Sequence, residues 1–200
     1  MNLISKEFQN ISVFDIETVG NINSQNFVDE MQITVVGVYF YNKDIYKTYF
    51  LEDLPELEKE LKNTDLLVGF NNDHFDTPIL NKYYKIDLFG IPSFDILREF
   101  RVITGKRVGL NSIAGATLGM YKSGSGGDAM IYYQEGKMEE LAKYCLYDVR
   151  LTKDVFEYAI INKQIKYTSR DGWLRFSIDF DYDIDKFISE NKKKSQSLLI

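Results

Sequence analysis

Two carboxylates stand one residue apart in Asp15-Ile16-Glu17, inside a run that otherwise reads as a buried strand, Ile11-Ser12-Val13-Phe14-Asp15-Ile16-Glu17. Side chains alternate along a strand, so Asp15 and Glu17 share a face. Two anions side by side against a core cost on the order of a few kcal/mol unless a cation or hydrogen-bond donors offset them. A divalent metal is one such remedy. The chain has one cysteine, Cys145, and one histidine, His74, which excludes an intrachain disulfide, a cysteine-based zinc site and a histidine-rich centre. A metal bound here would take oxygen ligands, which favours magnesium or manganese.

Further candidates lie far along the chain. Asp76 follows Gly69-Phe70-Asn71-Asn72-Asp73-His74-Phe75 and stands just before Pro78. It can be an N-cap, worth about 1 kcal/mol, or a member of the acidic site. Tyr144 and Asp148 are four residues apart, so on a helix they project from one face. They border an apolar stripe of Met138, Leu141, Cys145, Val149, Thr152, Val155, Phe156 and Ala159. Asp148 alone is read equally well as a rim acid paired with a base.

These residues need elements to position them. Hydrophobic periodicity predicts strands over 11–17, 31–41 and 45–50, the last two joined at Asn42-Lys43-Asp44, giving an antiparallel meander. A helix over 54–62 and a buried strand over 66–70 follow. Next come a helix near Pro78, a strand over 91–96, a helix from about Leu97 and another over 110–118. Residues 119–136 read as loop, 137–161 as a long amphipathic helix, and 165–168 with 173–178 as a hairpin around Arg170-Asp171-Gly172. Residues 186–200 are expected to fray. The order implies an α/β fold, a mixed sheet flanked by helices. No internal repeat is visible.

Phe14-Asp15-Ile16-Glu17-Thr18, Asn71-Asn72-Asp73-His74-Phe75-Asp76 and Tyr144-Cys145-Leu146-Tyr147-Asp148 resemble, in order, the three motifs of the DEDD exonuclease superfamily, tyrosine subclass. That superfamily includes the proofreading domains of family B DNA polymerases. The chain looks most like stand-alone predicted 3'-to-5' exonucleases of the polymerase-B-like type, which share a ribonuclease H-like fold. The second motif is Asn-x-x-x-Phe/Tyr-Asp and the third Tyr-x-x-x-Asp. The resemblance covers about residues 11–160. In histidine-subclass relatives the base lies five residues before the last Asp, a position held here by Lys143.

The resemblance implies a metal-dependent 3'-to-5' exonuclease on single-stranded DNA or RNA that uses two divalent cations, Mg2+ or Mn2+. Asp15 would bridge both ions, Glu17 and Asp148 would complete the site whose metal activates water, and Asp76 would support the second ion, directly or through water. Tyr144 would orient the attacking water; a phenol, with an ordinary pKa of about 10, is a poor base at neutral pH. Thr18, Asn71 and Phe75 are candidates for contacting substrate, with strand termination an equal reading for Asn71. A structure-selective endonuclease and a non-catalytic nucleic-acid-binding module are the alternatives.

The remaining features carry less. The net charge of -6 argues only weakly against nucleic acid, since a metal-binding acidic site itself contributes negative charge. Arg98, Arg101, Lys106 and Arg107 form a candidate backbone-contact surface, whereas Lys192, Lys193 and Lys194 read as a solvated tail. His74 reads as a surface residue and Asp95 as a helix cap. Gly124-Ser125-Gly126-Gly127 lacks the Lys-Ser/Thr of a nucleotide-binding loop and reads as a mobile segment able to gate or line the site. At 200 residues the chain suits an exonuclease domain over 1–163, with the hairpin and charged tail of 164–200 as part of the same unit. No signal peptide or membrane span is indicated, so a cytoplasmic location is expected, acting alone or beside a replication, repair or processing partner encoded separately.

Overall fold

The structure is a computed structural model and describes residues 10–124, 126–169 and 171–197. Its elements, in chain order, are β1 (Ile11–Val19), α1 (Phe27–Glu30), β2 (Gln32–Phe40), β3 (Ile45–Tyr49), α2 (Leu54–Leu61), β4 (Leu66–Gly69), α3 (Asp76–Asn81), β5 (Ser93–Asp95) and α4 (Ile96–Thr104). These are followed by α5 (Leu110–Leu118), α6 (Gly126–Gln134), α7 (Met138–Asn162), β6 (Gln164–Thr168), β7 (Arg175–Asp179) and α8 (Ile184–Ser197). The fold is α/β: a five-stranded mixed sheet flanked by helices, with a two-stranded hairpin, β6–β7, beyond it. Strand order is β3-β2-β1-β4-β5. The β3-β2-β1 half is the antiparallel meander, while β4 and β5 add in parallel. Among the described residues no helix is long and apolar enough to cross a membrane.

Strand alternation sorts β1 between two cores. Phe14 and Ile16 face a cluster with Leu57 and Leu61 of α2 and Ile79 and Leu80 of α3. Ile11 and Val13 face the opposite cluster, with Val149, Val155 and Phe156 of α7 and Ile113 of α5. Asp15 and Glu17 have the parity of Ile11 and Val13 and therefore face α7. A register shift between Glu17 and Thr18 places a bulge at this point of the β1–β2 ladder, where the strand bends.

The approach of α7 to the sheet depends on Gly37, which pairs with Asp15 across β1 and β2. A Cβ on Gly37 would lie 2.9 Å from Cys145 Sγ and 3.0 Å from Val149 Cγ2, both on α7. The Cys145 thiol in turn donates to the Asp15 carbonyl at 3.5 Å. Gly37→Ala is therefore expected to push α7 outward, at a cost of about 1–3 kcal/mol from overpacking. Thermal denaturation should show a midpoint lower by roughly 5 °C.

Three expectations are corrected. Residues 119–136 are not all loop: Gly126–Gln134 is helical, and Ala129 packs with Val35, Leu141, Tyr144 and Cys145, contacts that outweigh the low helix propensity of its glycines. The C-terminal segment expected to fray from residue 186 is helical over Ile184–Ser197, because Ile184 and Ile188, one turn apart, are buried in the α7-side core; residues 198–200 lie outside the described ones. In the hairpin, β7 begins at Arg175 rather than at Trp173, which is 86% exposed; Arg170 of its turn lies outside the described residues.

Candidate active site

The acidic residues converge where β1, α3 and α7 meet. Asp15 and Glu17 of β1 and Asp148 of α7 each present a carboxylate oxygen, all within 4.8 Å of one another. Glu17 is fixed by its neighbour β2, where the Thr34 hydroxyl donates to the Glu17 carbonyl at 3.0 Å. The Asp148 side chain is fully buried, and neither of its oxygens takes a hydrogen bond of sound geometry.

Asp76 stands beside this triad rather than within it. It is the first residue of α3, whose N-cap is Phe75, so it is not the N-cap itself. Its buried carboxylate accepts from the Ile16 backbone N–H at 3.1 Å, crossing from α3 to β1. The position is explained by tertiary contact, because Ile16 is 60 residues away in sequence.

The electrostatics of the cluster are those of anions without enough cation. Burial, followed by the charges of Asp76, Glu17 and Asp148, raises the Asp15 carboxyl well above the ordinary range. Burial and Asp148 push Glu17 up to about 8. Burial raises Asp76 to about 7, against the lowering effect of the Ile16 N–H. Asp148 is raised by burial too, with Lys122 opposing. An all-oxygen donor set, buried and crowded with its oxygens within 4.8 Å of one another, fits a hard divalent cation.

A cation does reach the acids, and nothing in the sequence pattern marked it. Lys122 projects from the segment after α5 and places Nζ 2.5 Å from Asp148 Oδ2. Burial works against its charge, yet Asp15 and Asp148 hold the ammonium above the ordinary lysine value. The same ammonium lies 5.9 Å from the centre of the Tyr144 ring. The glycine-rich segment passes close by: a Cβ on Gly124 would sit 3.4 Å from Tyr144 Cε2.

Tyr144, one helical turn before Asp148, is buried. Burial and then Asp148 raise its phenol further above neutrality, so it stays protonated.

The other candidates are scattered around this centre. Thr18 follows Glu17 at the bulge. Asn71 has left-handed backbone geometry, φ 65°, and its side-chain oxygen accepts from Arg107 at 3.3 Å. Phe75 stacks on Phe27 with centroids 6.0 Å apart, on the α2 side of the sheet. His74 is exposed and lies 5.7 Å from the Phe27 ring. Asp95 caps α4 by accepting from Leu97 and Arg98, and also holds the turn after β4 by accepting from Asn71 and Asp73. The arginine cluster divides. Arg98 is consumed internally by Asp73, Glu99 and the Ser93 carbonyl, whereas Lys106 and Arg107 are exposed. Lys192 pairs with Asp65 at 2.5 Å.

A family model described as the RNase_H superfamily matches residues 12–160. Among solved structures, the family B DNA polymerase from the hyperthermophilic archaeon Pyrobaculum calidifontis is similar with a TM-score of 0.59 at 16% identity, over 76% of this chain. The match covers 24% of the polymerase chain, and at this identity it speaks for the fold. No curated protein matches the sequence.

Proposed function

The chain belongs to the RNase H superfamily, and from that premise we propose that it is a metal-dependent 3'-to-5' exonuclease of the tyrosine subclass, acting on single-stranded nucleic acid. The observation that carries the reading is the meeting of Asp15, Glu17 and Asp148 oxygens within 4.8 Å, with the Asp76 charge close enough to repel that of Asp15. We take residues 1–163 as the exonuclease domain. We take the segment 164–200 as part of the same unit; supporting this, Ile165 and Ile188 share a core cluster with Val149.

In this reading Asp15, Glu17 and Asp148, with Asp76 behind them, hold two divalent cations, magnesium or manganese. Bound there, such ions lower the pKa of a coordinated water and stabilise charge on the leaving 3' oxygen. The chain's own residues do the remaining work. Asp15 and Glu17 present their oxygens from one strand face, and the bulge at Thr18 turns the strand away beyond them. Asp148 closes the cage from α7. Tyr144, held protonated, donates a hydrogen bond that orients the attacking water and does not abstract its proton. Lys122 offsets the charge of Asp148 from the segment after α5.

The phenol's role separates from that of the acids. Tyr144→Phe is expected to lower the single-turnover rate by about 10–100-fold while leaving manganese affinity unchanged in a calorimetric titration. An unchanged rate would remove Tyr144 from the mechanism. The function itself is tested with 5'-labelled DNA and RNA oligonucleotides, with and without a blocked 3' end, in magnesium, manganese or chelator. A metal-dependent ladder from free 3' ends is expected. Equal degradation of blocked strands, or cleavage of a circular single strand, would sink the exonuclease reading in favour of an endonuclease.

A further inference from the structure

A groove with cations and aromatics along it leads away from the acids, and the sequence motifs leave it unexplained. One cavity, of about 580 Å³, touches Asn71 and Lys122 at its inner end and Arg107, Val108, Gly109 and Asn111 at its outer end. A second, of about 850 Å³, shares those four outer residues and continues to Lys106, Tyr121, Tyr167, Thr168 and Phe176. The two form one path from the Lys122–Asp148 pair to the C-terminal hairpin. Among the described residues no carboxylate lines either cavity, although the whole chain carries a net charge of -6.

The hairpin wall of the second cavity, with Tyr167, Thr168 and Phe176, lies beyond the stretch that matches the superfamily, residues 12–160. It is nonetheless fixed to the domain. The Ser112 hydroxyl on α5 lies 3.0 Å from the Thr168 hydroxyl and accepts from the Thr168 N–H at the same distance. Thr117 donates to the Lys166 carbonyl at 3.0 Å. On this wall Tyr167 and Phe176 stack with centroids 5.0 Å apart. Lys106 donates to the Tyr167 hydroxyl at 3.0 Å and sits 5.3 Å from the Phe176 ring centre. Tyr121 faces them, 56% exposed.

Cations that track a backbone, next to aromatic faces that accept any base, are what single-stranded nucleic acid requires. A strand cut at its 3' end must also leave the acids in the 5' direction, past the terminal nucleotide, and this path starts at Lys122, whose ammonium lies 2.5 Å from Asp148 Oδ2. We propose that the groove between α5 and the β6–β7 hairpin seats the nucleotides 5' to the scissile phosphate, with Lys106 and Arg107 against phosphates and Tyr121 and Phe176 against bases. The assignment rests on the nuclease reading and gives strands β6 and β7 a substrate-holding role.

The test is fluorescence anisotropy of 5'-labelled dT20 and rU20 with the full chain in calcium, for wild type, Arg107→Glu, Phe176→Ala and Tyr121→Ala. Circular dichroism checks each fold. Arg107→Glu should weaken dT20 binding about tenfold at low salt and flatten the slope of log affinity against log salt by about 0.7 or more, the single-strand value for one lost phosphate contact. Loss of either aromatic should weaken binding about five- to tenfold. The rU20 arm shows which sugar the groove takes. Folded Arg107→Glu and Tyr121→Ala proteins that bind both probes as tightly as wild type would overturn the proposal, even if Phe176→Ala fails to fold. Cleavage is assayed separately in magnesium and manganese. Wild type that binds in the groove but cuts nothing would refute the nuclease reading while upholding the groove.

Discussion

Asp15→Asn is expected to lower hydrolysis by about 10³-fold and, in chelator, to raise the thermal midpoint. The activity loss follows from the place of Asp15 at the centre of the proposed cage: its oxygens lie with those of Glu17 and Asp148, and Asp76 acts on it electrostatically. Losing a bridging ligand removes several kcal/mol of charge stabilisation in the transition state, and each 1.36 kcal/mol is a factor of about ten. The stability gain has the opposite sign because the same carboxylate is a liability without a cation. Its pKa is raised by burial and then by three neighbouring acids, so the charged form is what the fold disfavours. A neutral amide of the same shape relieves the repulsion, and a relief of even about 1 kcal/mol is, for a chain of this size, a few degrees. Scanning calorimetry in chelator, paired with the oligonucleotide assay, reads both effects. A variant that is less stable in chelator would mean that Asp15 is held by structural contacts rather than strained by its neighbours.

Metal-stripped protein should lose stability as pH rises from about 4.5 to 8, and divalent cations should restore it most strongly at the alkaline end. Glu17 is raised from 4.5 to about 8 and Asp76 from 3.8 to about 7. An acid whose folded pKa exceeds its unfolded one binds more protons in the folded state, so its contribution is complete below the unfolded pKa and fades as pH passes through the folded one. The window is therefore bounded by about 4 and about 8. Because the acids share charge with one another and with Lys122, the total is about 2–4 kcal/mol rather than the sum of separate shifts. Saturating magnesium or manganese replaces the missing protons and reverses the slope, since a ligand bound only by the folded state stabilises it. Thermal midpoints measured across this range, with and without metal, give the answer. A metal-free midpoint that climbs steadily to pH 8 would contradict the crowded-carboxylate picture.

The placement of the proposed site residues Asp15, Glu17, Tyr144 and Asp148 on their own elements was legible because it rests on short-range rules. Strand alternation put Asp15 and Glu17 on one face, and helical spacing put Tyr144 beside Asp148, with neither inference needing the rest of the chain. Length and periodicity likewise placed the meander, the long helix and the order of elements. Where local rules compete with packing, the sequence misled. Gly126–Gln134 looked like loop because its glycines are poor helix formers, and the Ala129 contacts that stabilise it belong to β2 and α7. The lysine-rich C-terminal segment concealed Ile184 and Ile188, one turn apart and buried.

What only the tertiary structure decided is how near those faces come and what charge meets them. Gly37 lets α7 approach β1 closely enough for Asp148 to join the pair, a contact set by one absent side chain on a different strand. Asp76, open in sequence between a helix cap and a member of the acidic site, is not the N-cap of its helix and accepts from the Ile16 backbone N–H across 60 residues. Lys122, in an unpatterned segment, proves to be the cation against Asp148. Periodicity reports which side of its own element a residue occupies, whereas the field around a buried carboxylate depends on elements brought together by packing, and no local spacing encodes that distance.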